Sequence, residues 1–262
     1  INRFNPTGYV FSNWQLGQSV LYLPFFLVGH CLALLYGVLG YPIKADGYSA
    51  PYFIGTAIAS ATYLLAGLMI MCGVLKKIVG EKIALITSMS IWVASPLLYY
   101  TFIRQRMAHT TEFFLAALFV MMWIYFRESN KKLHHAVMGT FLGLLCLVRL
   151  INANYGILYI ADLTFLWFSG QNSASRPQIT DTFKNFFCFI GMFLVVLLPQ
   201  FIAWNQLNGF IISSYLVDTF QSQAMETSTS SAMLGSKVYD IFFSAKWGLA
   251  VATPLWFVGL LG

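Results

Sequence analysis

Leu147-Val148-Arg149-Leu150-Ile151-Asn152 lies in the middle of a 33-residue stretch, Ala136–Phe168, whose only charged side chains are Arg149 and Asp162. A membrane span needs about 20 consecutive apolar residues. The stretch is too long for one span and short for two. It predicts two short or tilted helices, Ala136–Val148 and Leu150–Phe168, that meet near Arg149. Asn152, Asn154 and Gly156 beside the junction favour a break there. A guanidinium does not deprotonate, so at bilayer depth it needs water, a carboxylate or an anionic ligand beside it.

The rest of the chain agrees with a membrane setting. Hydrophobic residues make up 58% of the 262 and charged residues 9%, against roughly 25% charged in soluble domains. The 24 Phe and 14 Tyr suit lipid-facing surfaces and interfacial belts. The fold class expected is all-α: a polytopic membrane helical bundle with an outer-face interfacial helix and loops. The net charge of +6 is scattered in short clusters between apolar runs, which argues against nucleic acid as a partner. Cys31, Cys72, Cys146 and Cys188 all fall in apolar segments without CxxC spacing, as small core residues do. The opening Ile1-Asn2-Arg3-Phe4 is polar and has no initiator Met, which suggests a mature or truncated start.

Working outward, the expected spans are Ser19–Gly40, Pro51–Leu75, Ile83–Tyr100, Thr110–Phe126, the two arms of Ala136–Phe168, Asn185–Ala203 and Trp247–Gly262. Ser19–Gly40 either spans or lies in the outer interface, where Pro24 and His30 are easier to accommodate. With the long run as a hairpin, Lys76, Lys77, Lys82, Arg127, Lys131, Lys132, Arg176 and Lys184 share one face. Lys44, Arg104, Arg106, Lys237 and Lys246 share the other. The richer face is assigned to the cytoplasm. Arg149 then points outward with Arg104, Arg106, His109 and a long polar loop, Trp204–Lys246. That loop carries Glu226 and a Ser/Thr patch; the whole of 1–262 is taken as a single membrane domain, with 1–50 at its outer face.

No soluble-enzyme motif is present. The candidates for chemistry cluster on the outer side. Arg149 is either a structural arginine paired with a buried acid or with backbone carbonyls, or a clamp for a lipid phosphate, which its forked donors suit. Arg104 and Arg106 either snorkel to headgroups or add cations to the same site. Glu112, one turn into its span, can pair with Arg106 or Arg149, or act as a base. His109 and Asn152 are further pocket candidates. His134 and His135, beside Lys131 and Lys132, are read as headgroup contacts. Asp218, Glu226 and Asp240 are read as solvated.

Several stretches together resemble the polyprenyl-phosphate-dependent glycosyltransferases of the GT-C type, the superfamily of protein mannosyltransferases and aminoarabinose transferases. They are Gly8-Tyr9-Val10-Phe11-Ser12-Asn13-Trp14-Gln15-Leu16-Gly17-Gln18-Ser19 running into Leu23-Pro24-Phe25-Phe26, then Ser95-Pro96-Leu97-Leu98-Tyr99-Tyr100-Thr101-Phe102 with Met107-Ala108-His109. Gly143-Leu144-Leu145-Cys146-Leu147-Val148-Arg149-Leu150-Ile151-Asn152 follows, with Leu150 where the family has proline. Trp204-Asn205-Gln206-Leu207-Asn208-Gly209, Phe242–Leu249 and Thr253-Pro254-Leu255 complete the order.

The resemblance implies transfer of a sugar from a polyprenyl phosphate to an acceptor hydroxyl on the outer face of a bacterial inner membrane. Arg149, Arg104 and Arg106 would hold the phosphate. An acid just after the first span would serve as base. No acid precedes Asp46 here, so that base is expected upstream of Ile1, with Glu112 the candidate within the chain. No cofactor is implied, and a divalent metal is left open. The partners implied are the polyprenyl-linked sugar and membrane lipids. The alternative is a catalytically inactive subunit of a larger membrane complex built on the same fold.

Overall fold

The computed structural model describes residues 7–9, 14–169, 179–209 and 211. The chain is an all-α membrane protein. Its helices are α1 Gly17–Val38, α2 Ala50–Val79, α3 Glu81–Val93, α4 Leu97–Phe102, α5 His109–Phe126, α6 Lys132–Val148, α7 Gly156–Ser169 and α8 Ile179–Asn208. A 3-10 segment, Leu150–Tyr155, joins α6 to α7. Four of the described helices are long and apolar enough to cross a membrane: α1, α2, α5 and α8, the last counted from Thr182.

The described residues fall into two compact units. One takes in 15–84 and 100–200; the other takes in 85–99 and the described residues of 1–14 and 201–262. In the larger unit α2 packs on α1 and α5, and α6 on α5 and α1. Lipid tails offer these helices no hydrophobic reason to associate, so contact comes from close approach and polar bridges. At the α1–α2 crossing a Cβ on Gly29 would lie 2.8 Å from the Pro51 carbonyl oxygen, and one on Gly55 2.7 Å from that of Phe25. Between α2 and α5 the Ser60 and Thr110 hydroxyls bond at 3.0 Å, fully buried. Elsewhere the Tyr63 hydroxyl donates to the Leu21 carbonyl, and His30 Nδ1 bonds the Tyr52 hydroxyl.

The apolar core beneath the candidate site is Leu115 and Ala116 of α5 with Leu145 and Val148 of α6, and Leu21, Phe114 and Tyr155 pack against it. Helices α5 and α6 form a hairpin through the Arg127–Lys131 turn. Glu112 and Arg149 therefore sit at one end, Arg127 and His135 at the other.

The expected break at Arg149 is present. Three other boundaries differ. The run Ile83–Tyr100, expected as one span, ends its helix at Val93 and resumes at Leu97. Pro96 lacks an N–H, and Ser95 starts the next turn by accepting the Leu97 N–H on its hydroxyl. The polar loop expected from Trp204 begins later, because α8 continues to Asn208. The Thr7 hydroxyl donates to the Leu207 carbonyl over 2.7 Å, which satisfies one carbonyl of that last turn. Ser19–Gly40 is a continuous helix of 22 residues, Gly17–Val38, with Pro24 inside it. The span expected at Trp247–Gly262, the Ser/Thr patch and Asp218, Glu226 and Asp240 lie outside the described residues.

Candidate functional site

Arg149 is where α6 stops. Its backbone is extended, φ −152° and ψ 122°. The Arg149 N–H makes the final helical bond to the Leu145 carbonyl, and its own carbonyl accepts the Asn152 N–H. The Asn152 side chain folds back and donates through Nδ2 to the same Leu145 oxygen at 3.3 Å. Asn152 is thus a buried cap on the end of α6. Asn152, expected as a pocket residue, has its Nδ2 engaged with backbone.

The break turns the Arg149 side chain toward the start of α5. Nη1 donates to Glu112 Oε2 over 3.1 Å. His109 Nδ1 lies 3.4 Å from the same oxygen, one turn back along α5. Tyr100 covers the imidazole, ring centroids 3.8 Å apart. Of the two pairings expected for Glu112, the one with Arg149 is realised. The carboxylate is well covered, its side chain 18% exposed, while the arginine is 42% exposed. One guanidinium edge is therefore held by a fixed acid and the remaining donors face outward.

Arg104 and Arg106 lie in the turn just before α5, at the same end, but neither pairs with a carboxylate among the described residues. Arg104 is exposed. The Arg106 guanidinium lies over the Phe53 ring at 4.4 Å, a cation–π contact. The turn is fixed to α1: Gln18 Nε2 donates to the Arg106 carbonyl at 2.7 Å, and the Tyr22 hydroxyl to that of Gln105 at 3.0 Å. Gln18, Tyr22, Phe53 and the ring of Tyr100 are parts of this end that sequence reasoning missed. Nothing in a lone Gln or Tyr at helical spacing signals a backbone partner some 80 residues away. Among the described residues no three of His, Cys, Asp and Glu converge as a metal site.

The arrangement offers a forked cation, partly neutralised and held in position, with further positive charge on the adjoining turn. An arginine set this way binds a mono- or dianionic oxygen group and does no covalent chemistry of its own. The chain matches no protein-family model, no curated protein and no solved structure.

Proposed function

We propose that the chain is part of a membrane glycosyltransferase that moves a sugar from a polyprenyl-phosphate carrier to an acceptor hydroxyl on the outer face, with Arg149 holding the carrier phosphate. The observation that carries this is the half-exposed guanidinium at a helix break, anchored by Glu112 on one edge only. A forked guanidinium matches the oxygens of a phosphate, the anion that membrane lipids carry. The order of the GT-C-like stretches supplies the reaction. The acceptor oxygen bonds to the anomeric carbon as the bond to the phosphate oxygen breaks, and negative charge develops on the departing phosphate. Arg149 stabilises that charge, and Arg104 and Arg106 add to the field. Glu112 is engaged by both Arg149 and His109, so it positions the guanidinium. The acceptor hydroxyl gives its proton to a carboxylate, the base that the resemblance implies.

The test is binding of a short-chain polyprenyl monophosphate to the full-length protein in detergent, alongside sugar transfer in membranes. Arg149→Ala should abolish transfer and weaken the phosphate ligand by about tenfold or more, the loss of a charge-assisted bond. Arg149→Lys should recover charge but only part of the affinity, since an ammonium lacks the fork. Unchanged binding in a well-folded Arg149→Ala protein would sink the phosphate role. The engagement of Glu112 in two contacts also suits a non-catalytic subunit. Stoichiometric membrane partners in mild detergent, with no transfer activity, would favour that reading.

A further inference from the structure

At the other end of the α5–α6 hairpin a cavity of about 170 Å³ opens among Arg127, Glu128, Asn130, Asp162, Thr182 and Asn185. Its back is closed by satisfied groups. His135 is buried and bonds the Tyr159 hydroxyl through Nδ1 and the Ser129 carbonyl through Nε2. Asp162 is engaged on both oxygens, by the Trp123 indole N–H and by Arg127.

Three groups at the cavity have donors or acceptors that no described residue fills. Arg127 reaches Asp162 only at 3.4 Å, through one nitrogen, longer than the roughly 2.8 Å of a good charge-assisted bond. Its remaining donors are free of any other acid among the described residues. Glu128 is exposed and pairs with no cation there. Most telling is Asn185 on α8. It is only 5% exposed, lines the cavity, and its carboxamide makes no hydrogen bond among the described residues. Its amide is therefore open to whatever fills the cavity, and polar groups in such settings normally have a partner.

We propose that this cavity binds the headgroup of a phospholipid bearing a primary ammonium. The phosphate lies against Arg127 and Asn185, and the ammonium toward Glu128. The charge count selects the class. Among the described lining residues two carboxylates stand against one guanidinium, which disfavours a headgroup that is purely anionic, whereas a zwitterion meets both signs. A quaternary ammonium has no N–H to give Glu128 or Asn130. A cavity of about 170 Å³ holds several waters and so has room for a small polar headgroup. A lipid rather than a soluble zwitterion is indicated because α7 and α8, which carry Asp162 and Asn185, expose Ile160, Phe165, Phe183 and Phe187, a surface for acyl chains. The site is independent of the glycosyl-transfer reading.

The experiment is native mass spectrometry of the full chain after equilibration with vesicles of equal parts dioleoyl phosphatidylethanolamine, phosphatidylcholine and phosphatidylglycerol. Retained lipid should be mainly phosphatidylethanolamine. Asn185→Leu and Arg127→Gln should each lower its retention by about tenfold. Glu128→Gln, at an exposed position that does not threaten folding, should shift the preference toward phosphatidylglycerol. Soluble glycerophosphoethanolamine should not displace the lipid at equal concentration. Preference for phosphatidylglycerol in the unmodified protein, no preference at all, indifference to Glu128→Gln, or equal binding of the soluble headgroup would each overturn the proposal.

Discussion

Arg149 Nη1 and Glu112 Oε2 meet at 3.1 Å, tying the end of α6 to the first turn of α5. The two partners are unequally placed, since the carboxylate is the more deeply covered and the guanidinium reaches outward. Losing the arginine leaves a covered acid with His109 beside it, whereas losing the acid leaves a cation that can turn to water. Arg149→Gln is therefore expected to destabilise the protein by roughly 1–3 kcal/mol, below the fully buried range because the pair is partly solvated. Glu112→Gln should cost less than about 1 kcal/mol. The double variant should be less destabilised than the sum of the two, a coupling on the order of 1 kcal/mol. Thermal unfolding in detergent measures all three. Strict additivity would mean that the pair contributes nothing to stability.

Asn152 acts on the same helix end without touching the ion pair. Asn152→Ala removes a bond to the Leu145 carbonyl, worth about 1 kcal/mol. Amide exchange at Arg149, whose N–H shares that acceptor, should quicken. If binding of a polyprenyl monophosphate were lost with no change in exchange or stability, Asn152 would be a ligand contact and the capping role would be wrong.

The break itself was legible because it rests on local chemistry: an apolar run of excess length, a charge at its middle, then Asn152, Asn154 and Gly156. The partner of Glu112 was legible only as a choice between Arg106 and Arg149, because Arg149 is 37 residues away and sequence spacing does not fix how α5 and α6 are rotated. Ile83–Tyr100 misled for the opposite reason. Its hydropathy suits one span, and the break depends on Ser95 and Pro96 at its centre. Asn185 gave no signal, since an asparagine at the start of an apolar run looks like any interfacial residue until the cavity beside it is seen.

Helices α6 and α8 touch through glycine. A Cβ on Gly139 would collide with the Phe189 backbone carbonyl, and one on Gly143 would stand 2.8 Å from Val196 Cβ. Backbone cannot give way as a side-chain tip can, so Gly139→Val should force the helices apart and cost upward of roughly 1–3 kcal/mol. Gly73 on α2 has no atom within 4 Å of its would-be Cβ. Gly73→Ala should be neutral or stabilising by up to about 1 kcal/mol through helix propensity. Equal melting temperatures for the two variants would show that α6 and α8 do not pack in this way.

The hairpin also fixes a topology. Helix α5 has 18 residues, about 27 Å at 1.5 Å per residue, close to the thickness of a bilayer's hydrocarbon core. The turn carrying Ile103 and the turn carrying Asn130 should thus lie on opposite faces of the membrane. Both residues are exposed, so Ile103→Cys and Asn130→Cys, in a background with Cys31, Cys72, Cys146 and Cys188 replaced, report on the two sides. An impermeant maleimide added to intact cells should label the cysteine at 103 and spare the one at 130 until the membrane is opened. This direction is the one expected from the loop charges, if Lys76, Lys77, Arg127, Lys131 and Lys132 face the cytoplasm. Labelling of both from outside would remove α5 as a span. Labelling of 130 alone would keep the span but invert it, turning Arg149 toward the cytoplasm and away from an outer-face glycosyl transfer.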